Sequence, residues 1–132
     1  MNIIEWKEAY EIGIPEVDMQ HKILVNITNE LIEAHLKQTG NSIIYQILER
    51  LVEYTKYHFK DEEKLFDNKY SGAEKHRGEH DHFILEIDLL QNEAQRKNLL
   101  LPYKTLDFLK DWLITHILGT DKELGVYIRG RQ

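Results

Sequence analysis

Four side chains of metal-binding type fall within one short stretch. It reads His58-Phe-Lys-Asp-Glu62 and, after a break between Asn68 and Gly72, His76-Arg-Gly-Glu-His80. Residues four apart on a helix lie one above the other on the same face. His58 with Glu62, and His76 with His80, are therefore two stacked pairs on two consecutive helices. The break is short enough to make those helices antiparallel neighbours. One such pair is common on a solvated helix face; two pairs flanking a single turn point toward a metal site.

The elements that must position these pairs follow from periodicity. Residues 1–17 form an irregular arm, interrupted by Gly13 and Pro15, whose apolar content predicts packing on the domain surface. Asp18 is a good N-cap for a first helix, with His21, Leu24, Val25, Thr28, Leu31, Ile32 and His35 on its inward stripe. A second helix carries Ile44, Ile47, Leu48, Leu51, Thr55, His58 and Glu62 inward and ends near Asn68. A third opens around Ser71 and turns His76, His80, Phe83, Ile87 and Leu90 inward. Pro102 suits the first turn of a fourth, with Leu106, Leu109, Trp112, Leu113, His116 and Ile117 inward. Gly119 loosens its end, and Asp121 to Ile128 makes a last short helix. The expected fold is all-α: an up-down-up-down antiparallel four-helix bundle over residues 18–128, with the arm and a short C-terminal helix, all in one domain spanning 1–132.

In such a bundle His21, His58, Glu62, His76, His80, His116 and Asp121 all lie at the same end. Each histidine sits on its helix's apolar stripe. Buried imidazoles and carboxylates without partners are costly. Five imidazoles and two carboxylates at one level suit two octahedral ions with one coordination position open, if each carboxylate bridges and one oxide or hydroxide completes the set. His35 follows His21 by about 21 Å along the helix and is out of reach. His82 points away from His80.

Composition removes other classes. Lys and Arg number 17 against 23 Asp and Glu, a formal net charge of −6, which argues against nucleic acid or an anionic membrane as partner. No apolar run approaches the ~20 residues of a membrane span, and no signal peptide is visible, so the expected address is cytoplasmic. With no cysteine, any metal is held by imidazole and carboxylate. A zinc peptidase signature is absent, because Arg77 stands where its glutamate would be.

The set His21, His58-x-x-x-Glu62, His76-x-x-x-His80 and His116-x-x-x-x-Asp121 resembles the full ligand set of the hemerythrins. The surrounding words, Gly13-Ile-Pro-Glu-Val-Asp-Met-Gln-His21, Tyr57-His-Phe-Lys-Asp-Glu-Glu63 and Trp112-Leu-Ile-Thr-His-Ile117, are similar to those of the bacterial members. The resemblance runs from about Trp6 to Tyr127. It implies two iron ions (Fe2+/Fe3+) with an oxo or hydroxo bridge and O2 as ligand. His76, His80 and His116 would hold one iron, His21 and His58 the other, and Glu62 and Asp121 would bridge them. It further implies reversible O2 binding, as carrier or store, and no enzyme activity. Leu24, Phe59, Trp112 and Leu113 lie one position or one turn from the ligands and would line the O2 pocket. One departure is Leu124, where an aromatic is expected.

Three alternatives stand beside this reading: an O2 or redox sensor acting through a partner, iron storage or detoxification, and a di-iron enzyme. The enzyme would want two Glu-x-x-His motifs, and the chain offers one such spacing, Glu79 to His82, whose histidine faces outward. An acceptor protein for the O2 is left unidentified.

Overall fold

A computed structural model describes residues 2–96 and 98–130. A single 3-10 turn at Glu8–Tyr10 precedes helix α1, Pro15–Leu36; then come α2, Gly40–Glu63, α3, Ala73–Ala94, and α4, Leu101–Thr115. A π-helical turn, His116–Asp121, runs straight into α5, Lys122–Gly130. Helix α1 packs on α2 and α4, and α3 packs on α2 and α4, so the four long helices close an antiparallel bundle. Among the described residues no helix is long and apolar enough to cross a membrane.

The interior is the sum of the four stripes. Leu31, Leu48, Leu51, Ile87, Leu106 and Leu109 are buried at its centre. Each such side chain contributes roughly 1.5–3 kcal/mol by leaving water. These residues fill the bundle away from the histidine end, which leaves that end free to be polar.

Helix α1 starts four residues earlier than Asp18 as N-cap suggested, with Ile14 as its N-cap. Pro15 occupies the first turn, where a fixed φ suits the helix and a missing N–H costs nothing. Asp18 instead reaches back. Its carboxylate accepts from the N–H of Ile12 at 2.8 Å and of Gly13 at 3.3 Å, tying the arm to the helix. Gly13 has φ +86°, a backbone shape that glycine adopts without strain. Farther up, Asn29 exchanges two hydrogen bonds with the backbone of Ile4, so the arm lies along α1 as its apolar content predicted.

Helix α2 ends at Glu63, ahead of the Asn68 expected. Tight bonds from the N–H of Leu65 and Phe66 to the carbonyls of Glu62 and Glu63 turn the chain away. Phe66 and Tyr70 then fold over the histidine end of the bundle, their rings 5.4 Å apart. Helix α5 closes that end from the other side. Leu124 is buried, and a Cβ on Gly125 would lie 2.3 Å from the Ile12 carbonyl oxygen, so the tail approaches the arm more closely than any other residue would permit.

Candidate metal centre

Each helix delivers its polar residues by ordinary α periodicity, with one exception. His116 and Asp121 are five residues apart, which in an α-helix would set them about 140° apart around the axis. The π turn, which rotates less per residue, takes away most of that offset. The Lys122 N–H bonds the Ile117 carbonyl five residues back, and position i+5 returns to the face of position i. His116 and Asp121 therefore face inward together, and Asp121 Oδ1 lies 3.0 Å from His116 Nε2. The sequence carried one trace of this, the five-residue spacing.

All seven residues expected as ligands are buried at one end of the bundle, and Glu62, His76 and Asp121 are 0% exposed. The two carboxylates divide their oxygens between two groups of imidazoles. Glu62 Oε1 lies 2.5 Å from His76 Nε2 and 3.0 Å from His80 Nε2, while Oε2 lies 3.1 Å from His58 Nε2 and 3.4 Å from His21 Nε2. Asp121 repeats the pattern. Its Oδ1 is 2.8 Å from His76 and 3.0 Å from His116, and its Oδ2 is 3.0 Å from His21. A three-histidine half and a two-histidine half thus face each other across two carboxylates.

Protein groups alone leave this cluster unsatisfied. Glu62 Oε2, both Asp121 oxygens, and Nε2 of His21 and His116 make no hydrogen bond of good geometry despite their proximity. Buried polar atoms in that condition cost free energy. Convergent imidazole and carboxylate donors suit first-row metal ions, and the residues present fit a pair of them.

Three imidazoles are held from behind by groups that the sequence did not single out. His80 Nδ1 donates to Glu63 at 2.8 Å, His116 Nδ1 to Glu79 at 2.8 Å, and His58 Nδ1 to Gln20 Oε1 at 2.7 Å. Gln20 Nε2 donates to Asp61 at 2.8 Å, which turns its oxygen toward His58. Thr120 Oγ1 donates to Glu79 at 2.7 Å. The three bonds to ring nitrogens hold a proton on Nδ1 and turn Nε2 toward the cluster, where loss of its proton would free a lone pair for a metal.

Aromatic rings wall the site. Phe59 stacks on His80 at 3.9 Å, and Trp112 stacks on His116 at 4.2 Å. Phe83 bridges them, 4.5 Å from Trp112 and 5.6 Å from Phe59, a position that its place on the α3 stripe marked only as core. Leu24 and Leu113 are buried in the same apolar cluster as Phe59. His82 is exposed, and His35 lies far along α1 beside Tyr103.

Without a metal, the two carboxylates favour protons on His21, His76 and His116. Burial opposes charge on His21, but the Asp121 and Glu62 carboxylates beside its Nε2 outweigh it and raise its pKa to about 9. His116, likewise buried, is raised to about 10 by Asp121 and Glu62. Burial pushes both carboxyls up, yet the imidazoles hold Glu62 well below the usual range and Asp121 at about 2. Metal uptake must displace those imidazole protons. Proton release on adding a divalent first-row metal ion to the metal-free protein at pH 7 should therefore be measurable in weak buffer, and affinity should fall as pH falls. Stability of the metal-free protein should run the other way. The raised histidines contribute fully below their ordinary 6.5 and lose that contribution as pH rises through about 9 to 10. Its Tm should drop over that interval, as thermal unfolding followed by circular dichroism will show.

A model of the hemerythrin HHE cation binding domain matches residues 12–128 of the chain. The bacteriohemerythrin of Clostridium acetobutylicum is 32% identical over 123 residues, covering 89% of this chain and 95% of that one. The bacteriohemerythrin of Methylococcus capsulatus is 31% identical over 95% of this chain and 96% of its own. A solved structure of a hemerythrin leucine-to-tyrosine mutant superposes with a TM-score of 0.81 at 28% identity, covering 97% of this chain and 98% of that chain.

Proposed function

The chain belongs to the hemerythrin family, and from that premise we propose that it binds O2 reversibly at a non-haem di-iron centre, as a carrier or store. The observation that carries this reading is the division of Glu62 and Asp121 oxygens between two sets of buried imidazoles, with several of those atoms lacking any hydrogen bond. His76, His80 and His116 would hold one ion, His21 and His58 the other, and the two carboxylates would span both. When bound, two irons passing between ferrous and ferric states supply the electrons for reversible O2 binding.

The chain's own residues supply the rest. Glu63, Glu79 and Gln20 hold three rings in the tautomer whose Nε2 faces inward. Phe59 and Trp112 stack over ligand rings, and with Leu24 and Leu113 they keep water from the site. An apolar wall of this kind offers a substrate no general acid or base, which favours binding over turnover.

Protein loaded anaerobically with ferrous iron tests the proposal. Two irons per chain are expected, with an absorption change on admitting air that reverses under vacuum through repeated cycles. One iron, preferential zinc, or a colour change that never reverses would overturn it.

A further inference from the structure

The two halves of the cluster are unequal in two independent ways. The first is the number of donors. Nitrogens of His76, His80 and His116 converge with oxygens of Glu62 and Asp121, all within 4.8 Å of one another, whereas the other half gathers only His21, His58 and Glu62 that tightly. The second is the charge behind the rings. His80 and His116 are backed by the carboxylates of Glu63 and Glu79, while His58 is backed by the neutral amide of Gln20. His76 and His21, one in each half, have no partner on Nδ1.

Both differences favour the same half. A carboxylate behind an imidazole makes the facing nitrogen a stronger donor than an amide does. The two carboxylates also put negative charge one ring away, partly offset by Arg77 at 3.6 Å from Glu63 and Lys75 at 4.0 Å from Glu79. Sharing adds a third effect, since an ion in one half neutralises part of the charge on Glu62 and Asp121 and repels a second ion. We propose that metal enters in order, the His76–His80–His116 half first and the His21–His58 half second, with Glu63 and Glu79 as the positioning residues that separate the two affinities. The inference rests on reading the cluster as a dinuclear metal centre.

Cobalt(II) titrated without O2 into the metal-free full chain tests it, with native mass spectrometry counting ions and visible absorption following their ligand fields. A one-cobalt species should dominate at one equivalent, the two steps differing by more than ~10-fold. His58→Ala should keep the tight step and lose the weak one, and His80→Ala should do the reverse. Glu79→Gln and Glu63→Gln should each weaken the tight step by ~10–100-fold, whereas Gln20→Met should weaken only the other. Circular dichroism checks that each variant folds, and two glutamates on different contacts keep one readable if the other fails. Uptake of two ions with no one-cobalt species, or a tight step unmoved by both glutamine substitutions, would overturn the order and leave reversible O2 binding standing. Iron-loaded protein that never releases O2 would overturn that function and leave the order untouched.

Discussion

Glu62→Ala should abolish assembly of the metal centre, whereas His21→Ala should leave about half of it. Among the described residues Glu62 is the one side chain whose two oxygens together lie within 4 Å of all five imidazoles: His76, His80 and His116 on one side, His58 and His21 on the other. Its removal takes a donor from both halves at once and leaves Asp121 to neutralise both ions. His21 serves one half, so its loss leaves Glu62, His76, His80, His116 and Asp121 together. Iron per chain should fall from about two to well under one in Glu62→Ala and to about one in His21→Ala, in keeping with the cost of losing a donor shared by two ions against one that serves a single ion. Glu62→Gln separates ligation from packing, since it keeps the volume and removes the charge. It should also fall well below two irons. Two irons retained in either Glu62 variant, with fewer in His21→Ala, would show that the carboxylate does not span both positions.

Most of this side-chain cluster was legible because helical periodicity is a rule about faces. His58 and Glu62, and His76 and His80, are stacked by spacing alone, and their place on apolar stripes implied burial. The rest escaped for local and tertiary reasons. The π turn inserts no residue that looks unusual in sequence, and Gly119 there reads as a helix end. Glu79 read as half of a Glu-x-x-His whose histidine faces outward, yet its carboxylate crosses to His116 and Thr120 on the π turn. Gln20 and Glu63 sit beside ligands in the chain, but their use depends on which neighbour each helix packs against. Asp18 had the right chemistry for a cap and the wrong position, because Pro15 starts the helix and leaves Asp18 to bind the arm. Spacing within a helix is thus readable, and contacts between helices are not.

Leu113 lies one turn before His116 and beside Trp112, whose ring stacks on His116. Leu113 is 1% exposed and belongs to the apolar cluster that includes Leu24, Phe59 and Phe83. Leu113→Ala would leave a cavity there, at a cost of roughly 2–5 kcal/mol of stability. An added cavity beside a polar site can admit water, and on the proposed O2-binding reading that water would supply the protons that make oxygenation irreversible. The seven ligand side chains are untouched, so iron content should hold at about two per chain while the oxygenated colour of Leu113→Ala fades faster than that of the native protein. Leu113→Met, which conserves volume, should restore most of the lifetime and most of the stability. Destabilisation without any change in the fading rate would mean that Leu113 serves the core alone. Recovery of stability and lifetime together in the methionine variant would tie the two effects to the same filled space.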